Sequence, residues 1–134
     1  MKEIYKAALL AVREGRVLLC RKRGTPTWIL PGGKIEAGEA PEEALRREIG
    51  EELTGVRLGE VRWVRCYEHH NPEGVPLRME VFVGELEGEP GPAAEIEELR
   101  WQAAAEPCEG LSPSLRDLIM PEVAAGRISV GVRL

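Results

Sequence analysis

GKIEAGEAPEEALRREIGEELTGV, residues 33–56, is the stretch from which the rest of the chain is read. Pro31, Gly32 and Gly33 break any regular element just before it. Glu39–Leu53 is then dense in helix formers with Pro41 in the first turn, so the stretch predicts a glycine loop running into a helix. On a wheel of about 100° per residue with Glu48 at zero, Glu51 and Glu52 fall near −60° and +40°, so three carboxylates share one face. Ala44 lies between them and leaves room for an approaching group, while Leu45, Ile49 and Leu53 form the adjoining apolar stripe. Glu51 and Glu52 occupy the last turn, where the helix dipole disfavours anions by about 0.3–1 kcal/mol each. A Glu-rich helix is ordinarily a solvated face, but stability alone would place Lys or Arg here; a hard dication, magnesium first, resolves the conflict. Gly32 and Gly33 add backbone groups that can approach a phosphate or offer a carbonyl to a metal.

The chain has 134 residues and a formal net charge of −5. That size suits one compact domain over residues 1–134. The charge disfavours a nucleic-acid duplex, whose binding draws on clustered Lys and Arg. No apolar run is long enough to span a bilayer, and Lys2, Glu3 and Lys6 interrupt the opening in a way no signal peptide would. Cys20, Cys66 and Cys108 are odd in number and lack CxxC pairing, which points to a reducing cytoplasm rather than a disulfide framework or structural zinc.

Outside the central helix, Tyr5–Val12 and Arg16–Cys20 predict an apolar hairpin about the Glu14-Gly15 turn, followed by a loop over Arg23–Thr27. Val61–Tyr67 and Leu77–Leu86 predict paired strands across a His69–Val75 loop, with a short third strand around Leu99 and Trp101. Ser112-Pro113 predicts the start of a second helix carrying Leu115, Leu118, Ile119 and Val123, and residues 128–134 fit no one element. His69 and His70, adjacent on an extended chain, point to opposite faces and would not share a metal. Trp28, Trp63 and Trp101 are expected in the core.

Taken together, residues 33–55 resemble the Nudix box, G-x5-E-x7-R-E-U-x-E-E-x-G-U, where U is a bulky aliphatic residue. Gly33, Glu39, Arg47, Glu48, Ile49, Glu51 and Glu52 match at the required spacing. The match fails at its end, where Thr54 holds the glycine position and Gly55-Val56 comes one residue late. Residues 28–36, WILPGGKIE, are similar to the MutT-like branch of that family. The resemblance implies an α/β (α+β) fold, an α/β/α sandwich around a central mixed β-sheet with a catalytic loop and helix. It also implies hydrolysis of a nucleoside diphosphate linked to a second moiety, by water attacking phosphorus. Magnesium, with manganese as a substitute, would be held by Glu48, Glu51, Glu52 and the carbonyl of Gly33.

Within that scheme Glu52 is expected as a direct ligand and Glu48 as ligand or general base. Arg47 would orient a carboxylate, and Glu39, at the helix start, would pair with Arg47 or stabilise the loop. Glu95, ahead of Glu97, Glu98 and Trp101, is the candidate for a further carboxylate recruited from a loop; a solvated acidic turn is its plain alternative. Arg21, Lys22 and Arg23 close the second strand, where one of them would meet a substrate phosphate, and with Gly32 and Lys34 they make the expected substrate-binding set. The substrate would be a small nucleotide, either a nucleoside triphosphate or a nucleotide sugar. ADP-ribose, hinted at by resemblance at Pro72, and a dinucleoside polyphosphate, hinted at by resemblance of residues 71–75 (NPEGV), are alternatives, and a non-catalytic nucleotide-binding regulatory module is a third. The resemblance to MutT-like enzymes does not extend to guanine readout, for which they use a late asparagine or paired aspartates: Asn71 is the only asparagine here, and Ala103 and Ala104 hold the aspartate positions. Homodimers are common in the family.

Overall fold

The computed structural model describes residues 2–130. Its elements are β1 (Ile4–Leu10), β2 (Val12–Arg13), β3 (Arg16–Lys22), β4 (Trp28–Ile29), β5 (Gly32–Lys34), α1 (Pro41–Glu52), β6 (Leu53–His70), β7 (Pro76–Pro92), β8 (Ile96–Ala103) and, after a π-helical turn over Leu115–Ile119, α2 (Met120–Ala124). One sheet runs β5-β1-β7-β6, with β1 and β7 parallel and the other pairs antiparallel. In the second, β3 carries β8 along one edge and β2 and β4 along the other. The result is a mixed α+β sandwich.

Both faces of β1 are covered, which is why its run of apolar residues does not alternate with polar ones. Ala7, Leu9 and Ala11 join Leu18, Ala44, Leu45, Ile49 and Leu53 in a core under α1. Ala8 and Leu10 join Val17, Leu19, Met79, Val81, Leu115, Ile119 and Met120 in a core under the C-terminal helical segment.

The expected opening hairpin is divided. At Ala11 the chain passes from one sheet to the other, so only Val12 and Arg13 pair with β3 and β1 instead lies between β5 and β7. The central helix is slightly shorter than expected, because Leu53 is already extended at φ −121° and ψ 133°. The late glycine is therefore no helix cap. Gly55 sits at φ +75° in a bulge of β6, and a Cβ on the facing Gly88 would lie 2.3 Å from its carbonyl oxygen. Through that glycine contact β6 and β7 run on well past the strands expected for them. Pro121 has no N–H to offer Asp117, and the turn before it widens, the Met120 N–H donating to the Leu115 carbonyl. Trp63 overturns a core expectation: it is 55% exposed, its indole N–H donating to Glu80 at 2.9 Å. Of residues 128–134, residues 131–134 lie outside the described residues. Among the described residues no helix is long and apolar enough to cross a membrane.

Candidate active site

Three neighbouring elements, β1, β5 and α1, build the site. Gly32 pairs with Ala8 and Gly33 with Ala7. At Gly32, φ is +147° and a Cβ would lie 2.1 Å from the Ala7 carbonyl oxygen, so only glycine fits. This close approach brings the β5 backbone to the last turns of α1. The Gly32 N–H donates to Glu52 Oε1 at 2.9 Å, and a Cβ on Gly33 would sit 2.3 Å from the Glu48 carboxyl carbon.

Glu52 is only 3% exposed. Burial pushes its pKa up to about 7; the Gly32 N–H and the Lys22 charge oppose the rise, and the Glu48 charge adds to it. Glu48 is held from one side by Arg47, whose Nη1 donates to Glu48 Oε1 at 2.8 Å. The same guanidinium donates to both oxygens of Glu39 at 2.8 and 2.9 Å and to the Lys34 carbonyl at 3.0 Å. One arginine thus ties the helix start, the loop and Glu48 together. Hydrogen bonds from Arg47, then from the Glu36 N–H, bring the Glu39 pKa down to about 2.

All three acids lie in the last turns of α1, yet their side chains diverge. Glu52 turns into β5, Glu48 is held beside Gly33, and Glu51 stays exposed with its Oε1 3.7 Å from Arg47. Among the described residues no group of three or more His, Cys, Asp or Glu side chains is gathered as a metal cluster. The fit to a divalent ion is one of donor chemistry: a buried carboxylate with a raised pKa and a second one facing the Gly33 backbone are hard oxygen donors whose mutual repulsion a cation would relieve.

Beside this corner opens a cleft of about 490 Å³. Lys6, Lys22, Gly33 and Lys34 line it along with apolar Ile4, Leu77 and Met79, and further polar groups come from Thr25, Asn71, Ser112 and Ser114. The Ser112 wall is docked onto β4 by two backbone bonds, Trp28 N–H to Gly110 at 2.7 Å and Ser112 N–H to Trp28 at 3.0 Å. The Asn71 carboxamide oxygen accepts the Glu73 and Val75 N–H groups and shapes its own loop.

Of the expected substrate-binding residues, Lys22 and Lys34 line the cleft. Arg21 does not; it pairs with Glu98 at 3.0 Å and with Glu97 at 3.5 Å. The Arg23 guanidinium reaches the Ala94 carbonyl. Gly32, expected to face substrate, is buried and has given its N–H to Glu52. Glu95 sits in the exposed turn before β8, where its carbonyl accepts the Arg23 N–H at 2.8 Å, and it is not among the residues that line the cleft. His69 bonds Asp117 at 3.0 Å, whereas His70 lines the cleft. Sequence reasoning missed Lys6, Ser112 and Ser114. Lys6 carried a signal, a charge within the apolar opening strand; the serines were legible only as a helix start.

A family model described as NUDIX domain matches residues 4–120, most of the chain. The chain belongs to the NUDIX family. It is 29% identical to a MutT NUDIX hydrolase from Burkholderia pseudomallei whose crystal structure superposes with a TM-score of 0.77 over 91% of this chain and 98% of that one. Over 58 residues it is 42% identical to a MutT-like protein of Streptomyces ambofaciens and 43% identical to an RNA pyrophosphohydrolase of Pseudomonas paraeruginosa. Each match covers 43% of this chain and 37% and 36% of the respective relative, so the chain spans little more than a third of the length of the curated relatives it matches.

Proposed function

We propose that this chain is a divalent-metal-dependent pyrophosphohydrolase that cleaves a phosphoanhydride bond in a nucleoside diphosphate linked to a second group, a nucleoside triphosphate or a nucleotide sugar. One observation carries the reading: Glu48 and Glu52 meet the Gly32-Gly33 backbone beside a cleft that Lys6, Lys22 and Lys34 line. Glu48, Glu51, Glu52 and the Gly33 carbonyl would hold magnesium, with manganese as a substitute. Bound there, the ion supplies charge neutralisation at the phosphate oxygens and a lower pKa for water. The water oxygen bonds to phosphorus, the bridging P–O bond breaks with its electron pair, and the water's proton passes to Glu48. Arg47 keeps Glu48 in place for that transfer, and Lys22 and Lys34 bind phosphate oxygens. The apolar part of the cleft takes the nucleoside.

The name of the Pseudomonas paraeruginosa relative keeps RNA among the substrates to test, while the net charge of −5 argues against a duplex partner. Purified protein with magnesium is screened against nucleoside triphosphates, nucleotide sugars, ADP-ribose, dinucleoside polyphosphates and triphosphorylated RNA, with the released product identified. Turnover of at least one, reduced about a hundredfold or more in Glu52→Gln, is the expected result. No turnover of any of them, or a fully active Glu52→Gln, overturns the reading.

A further inference from the structure

β1 breaks its own pattern at one position. The residues it directs toward the C-terminal helical segment are Ile4, Lys6, Ala8 and Leu10, and Ala8 and Leu10 are wholly buried. Lys6 stands in this row with Met79 beside it on β7 and Lys34 directly opposite on β5. Like charges facing each other across antiparallel strands destabilise a sheet, and Lys22, which lines the same cleft, adds a third. Burial first, then Lys22, disfavours the charged form of Lys6, and the opposing influence of Cys20, Glu52 and Glu48 offsets this only in part. Among the described residues none of the three ammonium groups makes an ion pair or a side-chain hydrogen bond. A methionine at position 6, beside Met79, would spare the fold that conflict, so the lysine is explained by something in the cleft rather than by stability.

Charge decides what that is. A nucleotide sugar carries about two negative charges on its diphosphate, which one dication balances; a nucleoside triphosphate carries about four and leaves a surplus of about two for other cations. We propose that Lys6, Lys22 and Lys34 form an anion clamp that takes the phosphoryl charge left over by the ion at Glu48 and Glu52, and that the substrate class is thereby a nucleoside triphosphate rather than a nucleotide sugar. This rests on the cleft being the substrate's place. Lys6 is a substrate-binding group there, not a proton donor.

The test pairs a metal-free measurement with kinetics. Inorganic tripolyphosphate is titrated calorimetrically into chelator-treated protein. Lys6→Met weakens its binding about tenfold or more, Lys6→Arg restores most of it, and the metal-free melting temperature of Lys6→Met is no lower than the parent's. With magnesium, Lys6→Met raises KM for triphosphates about tenfold while kcat stays within about threefold, and KM for nucleotide sugars barely changes. Should Lys6→Met fail to fold, Lys6→Gln carries the same comparison. A parent that does not bind tripolyphosphate, or a folded variant that binds it as tightly as the parent, overturns the clamp. Lys6-dependent binding without nucleotide turnover leaves the clamp standing and removes the hydrolase reading; turnover with Lys6-independent binding does the reverse.

Discussion

Glu52 and Gly32, twenty residues apart, are joined by a 2.9 Å hydrogen bond from the glycine N–H to a carboxylate almost wholly removed from solvent. The bond fastens the end of α1 to β5, and the closeness of β1 and of the Glu48 side chain explains why two adjacent glycines stand at this point. Gly32 lets β5 come hard against β1, and Gly33 leaves space for the Glu48 carboxylate.

The two glycines should therefore fail differently. Gly32→Ala places a Cβ against backbone that cannot yield and forces alanine into a conformation suited to glycine, so it should destabilise the protein by at least about 2 kcal/mol. Gly33→Ala meets only the movable end of Glu48, so stability should stay within about 1 kcal/mol of the parent while turnover and magnesium affinity fall. Urea unfolding and magnesium titration of the two variants check this; equal stability of both would contradict it.

Glu39 supplies the pH dependence. Its pKa in the folded protein is about 2 against an ordinary 4.5, so it is a depressed acid. Its stabilisation is present above pH 4.5 and is lost as pH falls toward about 2. Glu39→Gln should lower the unfolding midpoint at neutral pH, and the gap to the parent should close on acidification through that window. A gap that stays constant with pH would exclude the Arg47 pairing as its origin.

Much of this site was legible in residues 33–56, because helical periodicity fixes which side chains share a face whatever the tertiary context. Three things were not. Periodicity places the carboxylates of Glu48, Glu51 and Glu52 on one face but cannot say that Glu52 turns into β5 while Glu51 stays in solvent, since that depends on where a second element lies. The outer halves of β6 and β7 carry Gly55, Gly59, Gly88 and Pro90, residue types that ordinarily favour turns but here serve a bulged ribbon. Lys6 was visible only as an interruption of an apolar strand, and its meaning needed the register with Lys34.

Alternation along β3 separates neighbours in the basic run. Lys22 faces the cleft, whereas Arg21 is engaged by Glu97 and Glu98 of β8 and lies near the Trp28 ring. Lys22→Ala should raise KM about tenfold, and Arg21→Ala should leave KM within about twofold while loosening the β3–β8 edge. Steady-state kinetics beside melting temperatures distinguish the two; a larger KM effect from Arg21→Ala would place the phosphate on the wrong side of β3.

Arg47 offers the strictest test of geometry, because a lysine would keep its charge and lose its shape. The guanidinium makes two bonds to Glu39, one to Glu48 and one to the Lys34 carbonyl at once. An ammonium group on a shorter, unforked side chain cannot span all of these partners. If Glu48 accepts the proton of the attacking water, its position matters more than the net charge around it, so Arg47→Lys should lower kcat about 10–100-fold and leave KM much less affected. The variant should also lose part of the acid-sensitive stability that Glu39 supplies, since both acids are held by one group. A variant with parental kcat would show that Glu48 needs no fixing, and the proton would then have to go elsewhere.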